Sequence, residues 1–313
     1  MGNIFYFDWE LRLIELFQSA DSPVINALAQ FFSLFGEELL LIVIIGYIYW
    51  CYDKETGKRV AMTFISAFLW GTLLKGGLMR RRPYMDNESI KCLRPAHADG
   101  DIMDVSAQGY SFPSIHAGMS ASIFGSLAVG YKNTVWKIVG IVLPLCVGLS
   151  RLYVGVHYPT DVLAGWLIGA AALAIVSLLF KKIENKKIVF FIIFVTALPG
   201  IFYCRDAEYF TALGIITGFM AAFIFEEKYV AFENTRSILT SILRVAGGVI
   251  VFFIISTLIK LPFSKELRES AEVGAFALRT VRYAVAVFCA MGPYPMLFGK
   301  VKFLGGSKVK NGS

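Results

Sequence analysis

The stretch Ser150–Lys182, SRLYVGVHYPTDVLAGWLIGAAALAIVSLLFKK, sets a long apolar run directly behind a cluster of polar groups. From Pro159 to Phe180 the only charge is Asp161, close to the start. A helix needs about 20 mostly apolar residues to cross a bilayer, and this run supplies them. The rest of the chain agrees. Of its 313 residues, 57% are hydrophobic and 17% charged, with a mean hydropathy of +0.63. A soluble domain is about 45–50% apolar, with roughly a quarter of its residues charged. The composition excludes a soluble fold class and predicts an all-α polytopic membrane protein.

Further apolar spans lie at roughly 36–52, 58–79, 113–131, 136–155, 187–204, 208–225, 238–260 and 273–298, about nine helices in all. Residues 5–18 and 22–34 are amphipathic, broken by Ser19, Asp21 and Pro23. They read as helices at the membrane interface, or as a short hairpin dipping into it. The basic break from Lys181 to Lys187 separates two bundles. The expected organisation is 1–35 interfacial, 36–182 a first bundle, and 183–313 about four additional transmembrane helices. The N-terminus carries Asp8 and Glu10 and lacks the basic region of a cleavable signal peptide. Cys51, Cys92, Cys146, Cys204 and Cys289 are scattered, without the close pair of a metal knuckle.

Lysine and arginine placement predicts orientation. One side receives Lys54, Lys58, Arg59, Lys132, Lys137, Lys181, Lys182, Lys186 and Lys187, with Lys300, Lys302, Lys308 and Lys310 of the tail. That side is expected in the cytoplasm. The long loop 80–112 and the turn near 155–158 then share the outer face.

Three segments place costly polar groups at the ends of apolar helices. In Ser150–Asp161, His157 and Asp161 are four apart and can meet if a helix starts near Pro159. A carboxylate on one imidazole nitrogen fixes the tautomer and leaves the other nitrogen free to attack. Arg151 adds a positive group. In Lys75–Pro83, Lys75 and Arg82 are seven apart, two turns along one face of a helix, and suit a phosphate dianion. Alone, Arg80 to Arg82 would read as interface anchors reaching for water. In Pro113–His116, Pro and Ser begin a helix whose free N–H groups form an anion site, with Ile115 N–H and His116 beside it.

All three segments fall on one face. Their pattern, Lys-x6-Arg-Pro, Pro-Ser-x-His and Ser-Arg-x5-His-x3-Asp, resembles the signature of the type-2 phosphatidic acid phosphatase (PAP2) superfamily across residues 36–180. Lys75, Arg82, Pro83, Pro113, Ser114, His116, Ser150, Arg151, His157 and Asp161 all match, and Ile115 departs from a frequent Gly. The resemblance implies a PAP2-type bundle and a membrane phosphatase acting on a lipid phosphate or diphosphate. In it His157 is the nucleophile, Asp161 its orienter and His116 the proton donor. Lys75, Arg82, Ser114, Ile115 and Arg151 bind the phosphate. No cofactor or metal is implied. The expected partners are the lipid substrate and membrane lipids, with no nucleic acid, and the expected place is the cell membrane with the site outside. A phosphotransferase using an alcohol acceptor is the alternative, followed by a non-catalytic lipid transporter or binding protein.

Other features carry less. Loop 84–112 is a candidate lid or headgroup contact, and His97 near Asp99 and Asp101 hints at a metal. Tyr84, Gln108 and Tyr110 are candidate pocket residues. Arg244, Arg279 and Arg282 sit in apolar stretches near helix ends, where they are expected to reach for water. Gly165 and Gly169 allow close helix packing inside the bundle.

Overall fold

The computed structural model describes residues 2–96, 98, 100–270 and 272–305, so His97, Asp99, Lys308 and Lys310 lie outside the described residues. The chain is helical, and it begins with α1 (Asp8–Ser19), α2 (Pro23–Leu34), α3 (Glu38–Tyr47), a π turn (Ile48–Tyr52) and α4 (Lys54–Leu78). Then come the short α5 (Pro83–Asp86) and α6 (Val105–Gln108), followed by α7 (Ile115–Tyr131), α8 (Thr134–Tyr153) and α9 (Pro159–Lys182). The remainder is α10 (Lys186–Ala197), α11 (Gly200–Tyr203), α12 (Ala207–Tyr229), α13 (Ile238–Lys260), α14 (Lys265–Glu269) and α15 (Val273–Met291). Among the described residues, seven helices are long and apolar enough to cross a membrane. An eighth span is added if α2 and α3, bent by 50° at their break, count as one. The protein is a multi-pass membrane protein.

Two compact units are formed. The first holds 1–41, 66–178 and 199–206, and the second 42–65, 179–198 and 207–313. In the first, the starts of the helices are set by local chemistry. Ser22 accepts from Ile25 N ahead of Pro23, Ser114 caps α7, and Asn133 accepts from Trp136 N to begin α8. Helices α7 and α9 approach closely because a Cβ at Gly165 would collide with the Ser114 carbonyl, and one at Gly169 with the Gly118 carbonyl. The small-residue pair therefore packs inside the bundle, as its spacing predicts.

Helix α1 presents Glu10, Ile14 and Gln18, spaced by four, to the interior, while Trp9 and Leu16 face outward. Gln18 donates to the carbonyls of Lys91 and Tyr153 and accepts from Lys91 N, which pins the loop after α5. Around Ile14 an apolar core gathers Tyr84, Met85, Ile90, Tyr153, Val154, Val156 and Tyr158.

In the second unit, α12 packs on α15 and α13 on α15. Arg244 of α13 does not reach for water. It is 1% exposed, lies over the Phe298 ring, and donates to the carbonyls of Trp50, Glu233 and Leu304. Three segments with loose carbonyl ends converge there, and a five-donor guanidinium can satisfy all three.

Candidate active site

The site is built where α4 ends, α7 begins and the turn between α8 and α9 closes, all within the first unit. Lys75 lies in the last turn of α4 and is 2% exposed. The helix then stops. Met79 takes a left-handed φ of 50°, and Arg82 is extended ahead of Pro83. A residue before proline is pushed out of the helical region. Lys75 and Arg82 therefore do not share one helical face, and they approach the site from a helix and a loop respectively. Arg82 is 3% exposed and donates to the carbonyls of Gln108, Gly109 and Val156. Three of its five N–H groups serve these carbonyls, Nε being shared between Gln108 and Gly109, which among the described residues leaves two for another acceptor. Gln108 contributes its carbonyl to this arrangement.

Ser114 caps α7, its hydroxyl accepting from Ala117 N at 3.4 Å. Its own N–H donates to the Asp161 carbonyl at 2.9 Å, joining the second motif to the third. The Ile115 N–H, first in the helix, has no hydrogen-bond partner among the described residues. The Ile115 side chain is buried against Gly71, where a Cβ would come within 2.6 Å of its Cδ1. Its bulk is thus absorbed by a missing side chain on α4.

Helix α9 begins at Pro159, so His157 and Asp161 do meet. His157 Nδ1 faces Asp161 Oδ2 at 3.5 Å, a charge contact that is longer than a hydrogen bond. Catalytic contacts are often this long before substrate binds. Burial, then the charges of Arg82, Arg151 and Lys75 and of His116, hold the His157 pKa well below its ordinary 6.5. The ring is neutral at neutral pH. The same electrostatic reach shows that all three motifs converge on it. Arg151 is 2% exposed, and among the described residues its Nε has no partner and its one hydrogen bond goes to Ser33 Oγ at 3.4 Å. A buried guanidinium so poorly satisfied is chemically suited to an anion.

The Asp161 carboxylate is held from behind. Oδ2 accepts from Tyr158 N at 2.7 Å and Oδ1 from Arg80 at 2.7 Å. Arg80 also donates to Glu10 Oε2 at 2.8 Å, to Thr160 Oγ1 at 2.7 Å and to the Phe5 carbonyl at 2.8 Å, with its guanidinium over the Tyr158 ring. Glu10 in turn accepts from Thr160 through its hydroxyl and its N–H. Arg80 and Glu10 are absent from the sequence-derived site. Arg80 was masked by two neighbouring arginines, and Glu10 by its setting in an amphipathic helix. The signal available was Glu10 on one stripe with Ile14 and Gln18.

Glu37, at the break between α2 and α3, is also new. Its Oε1 accepts from Arg94 at 2.8 Å and stands 3.6 Å from His116 Nε2. Loop 84–112 is thereby tied down through Arg94, which also donates to the Gln30 carbonyl. Tyr84 belongs to the apolar core, and Asp104 caps α6 through Ser106 N. Among the described residues, no group of three or more His, Cys, Asp or Glu side chains could hold a metal.

Comparison with known proteins extends the motif match. The PAP2 superfamily model matches residues 57–185, and the model of the PAP2 superfamily phosphatase transmembrane extension matches residues 210–307. Phosphatidylglycerophosphatase B of Bacillus subtilis is 31% identical over 158 residues, covering 47% of this chain and 70% of that protein. The chain belongs to the PAP2 superfamily. As a PAP2 phosphatase it is a metal-independent phosphoric monoester hydrolase with a C-terminal transmembrane extension. An undecaprenyl-diphosphatase of Sulfolobus acidocaldarius is 28% identical over 163 residues, covering 52% of this chain and 74% of that protein. The crystal structure of Aquifex aeolicus LpxE is 24% identical, with a TM-score of 0.47, over 54% of this chain and 95% of that one.

Proposed function

We propose that this PAP2 phosphatase removes phosphate from a lipid phosphate or diphosphate through a phosphohistidine intermediate, in the cell membrane with its site on the extracytoplasmic face. The observation that carries the reading is a buried, neutral His157, backed by Asp161 and surrounded by Lys75, Arg82 and the under-satisfied Arg151. A lipid substrate is supported by the two relatives named for lipid phosphates. Helix-end placement supports it too, since a headgroup can reach the cations while its tail stays in the bilayer. The basic loops expected in the cytoplasm support the sidedness.

In the first half-reaction, His157 Nε2 attacks phosphorus in line and the ester P–O bond breaks. Lys75, Arg82, Arg151, Ser114 and the Ile115 N–H hold the equatorial oxygens as charge develops. Asp161 stabilises the positive ring that forms. The leaving alkoxide takes a proton from His116. In the second half-reaction, water attacks the phosphohistidine and gives its proton to His116, and the N–P bond breaks. The products are the alcohol and inorganic phosphate, and both histidines are restored.

The test is phosphate release from a panel of lipid phosphates by detergent-purified protein in EDTA, with His157→Ala alongside. Brief reaction with a labelled substrate should leave an acid-labile, alkali-stable phosphoprotein in the wild type and none in the variant. Release by His157→Ala at the wild-type rate would remove the nucleophile from this residue. Sidedness is checked by adding a membrane-impermeant substrate to intact cells, where hydrolysis only after lysis would reverse the assignment.

A further inference from the structure

A general acid that works among cations needs a counter-charge. Three cations bear on the His157 ring, and His116 bears on it as well. Each of these charges disfavours a further positive charge on an imidazole placed among them. Yet His116 must be an imidazolium when the alkoxide leaves.

We infer that Glu37 is a positioning residue for this acid. Its carboxylate faces Nε2 of His116 across a charge contact and stabilises the imidazolium from which the leaving group takes its proton. The inference rests on the reading of His116 as proton donor given above. Glu37 Oε1 lies 3.6 Å from His116 Nε2, within range of a strong charge interaction in a partly buried setting. The backbone is fixed at this point. A Cβ on Gly36 would come within 2.8 Å of His116 Cβ and 2.9 Å of Val147, so the break between α2 and α3 presses directly on the ring. Glu37 N donates to the Leu34 carbonyl. Arg94 grips the carboxylate at 2.8 Å and the Gln30 carbonyl at 3.2 Å, which sets the direction in which the remaining lone pairs point. Among the charged and titratable groups that bear on the pair are Arg94 from the loop, Arg151 from α8 and His157 from the turn before α9.

The proton accounting is closed. As the ester bond breaks, its electron pair leaves with the alkoxide oxygen, which takes the Nδ1 proton. The ring is left neutral, with its other proton on Nε2 facing Glu37, and the carboxylate stays charged throughout. In the second half-reaction, water returns a proton to Nδ1. Glu37 thus relates to His116 as Asp161 does to His157, a carboxylate that fixes the tautomer without exchanging protons.

The experiment compares kcat/KM for an alkyl lipid phosphate and for 4-nitrophenyl phosphate, whose phenolate leaves without a proton. Wild type, Glu37→Gln, Glu37→Asp and His116→Ala are run on both. Glu37→Gln should lose about 10–100-fold on the alkyl ester, within the range of general-acid effects, and less than about threefold on the aryl ester. Glu37→Asp should recover part of the alkyl loss, and the basic limb of the Glu37→Gln alkyl profile should move to lower pH. Activity on the aryl ester also shows that each variant is folded. Equal losses on both esters, or no loss on the alkyl ester, would overturn the inference. A selective loss in His116→Ala without one in Glu37→Gln would overturn it alone. Equal losses on both esters in His116→Ala would overturn the proton-donor reading and this inference with it.

Discussion

Replacing Arg80 by Met tests whether the carboxylates behind the site are held or merely nearby. The guanidinium is 2% exposed and makes four hydrogen bonds, to Phe5, Thr160, Asp161 and Glu10. The Glu10 and Asp161 side chains are each 0% exposed. Removing the cation leaves two buried carboxylates without the arginine that pairs them. Breaking a buried pair from one side costs about 3–5 kcal/mol, whereas an exposed pair is worth about 0–1 kcal/mol. We expect Arg80→Met to lose about 3–5 kcal/mol in reversible unfolding from mixed micelles, followed by tryptophan fluorescence. Glu10→Gln in the same background should recover part of that loss, because one buried charge is then gone and the two sites share partners. Catalysis should fall too, since Oδ1 of Asp161 loses its donor and the carboxylate can turn away from His157. A kcat/KM at least about tenfold lower, or roughly 1.4 kcal/mol, is expected per folded molecule. Arg80→Lys keeps the charge but cannot span four acceptors, and should fall between the two. A loss below about 1 kcal/mol in Arg80→Met would refute the reasoning and return Arg80 to the role of an interface anchor.

Two further outcomes follow from the same geometry. The depressed pKa of His157 means that its reactive neutral form survives below the ordinary imidazole range, so the acid limb of kcat/KM should lie below 6.5. Lys75→Gln removes one of the charges opposing protonation, so that limb should move to higher pH; an unchanged or lowered limb would contradict the arrangement. Gly165→Ala sets a methyl against the Ser114 carbonyl, which should cost about 1–3 kcal/mol by overpacking and raise KM through displacement of the α7 N-terminus. Wild-type stability and KM in this variant would show that α7 and α9 are not in close contact.

The groups proposed to hold the phosphate were legible as candidates because their chemistry and spacing are local. A capped helix start, a histidine four residues ahead of an aspartate, and arginines at the ends of apolar runs each signal themselves within a dozen residues. Local reasoning failed where one residue reset the backbone. Lys75 and Arg82 have the spacing of one helical face, but Pro83 forces Arg82 extended and α4 has already ended at Leu78. It failed again for Arg244. Proximity to a helix end reads as a route to water, whereas its carbonyl partners come from residues 11, 60 and 194 positions away.

The deepest omission has one physical cause. Glu10 and Glu37 both lie in the first 41 residues, ahead of the segment that matches the PAP2 superfamily model. In sequence each is an acidic residue beside apolar ones, which ordinarily means a solvated face or a helix end. What distinguishes them is the cation each meets after folding, Arg80 for Glu10 and Arg94 for Glu37, at separations of 70 and 57 residues. A site proposed to bind a dianion concentrates positive charge, and that concentration opposes itself without an anion. Two carboxylates offset part of that charge from the side: Glu10 is sealed by Arg80 and Thr160, and Glu37 is occupied by Arg94 and His116. The N-terminal segment therefore adds two carboxylates, Glu10 and Glu37, to the one, Asp161, that the motifs supply.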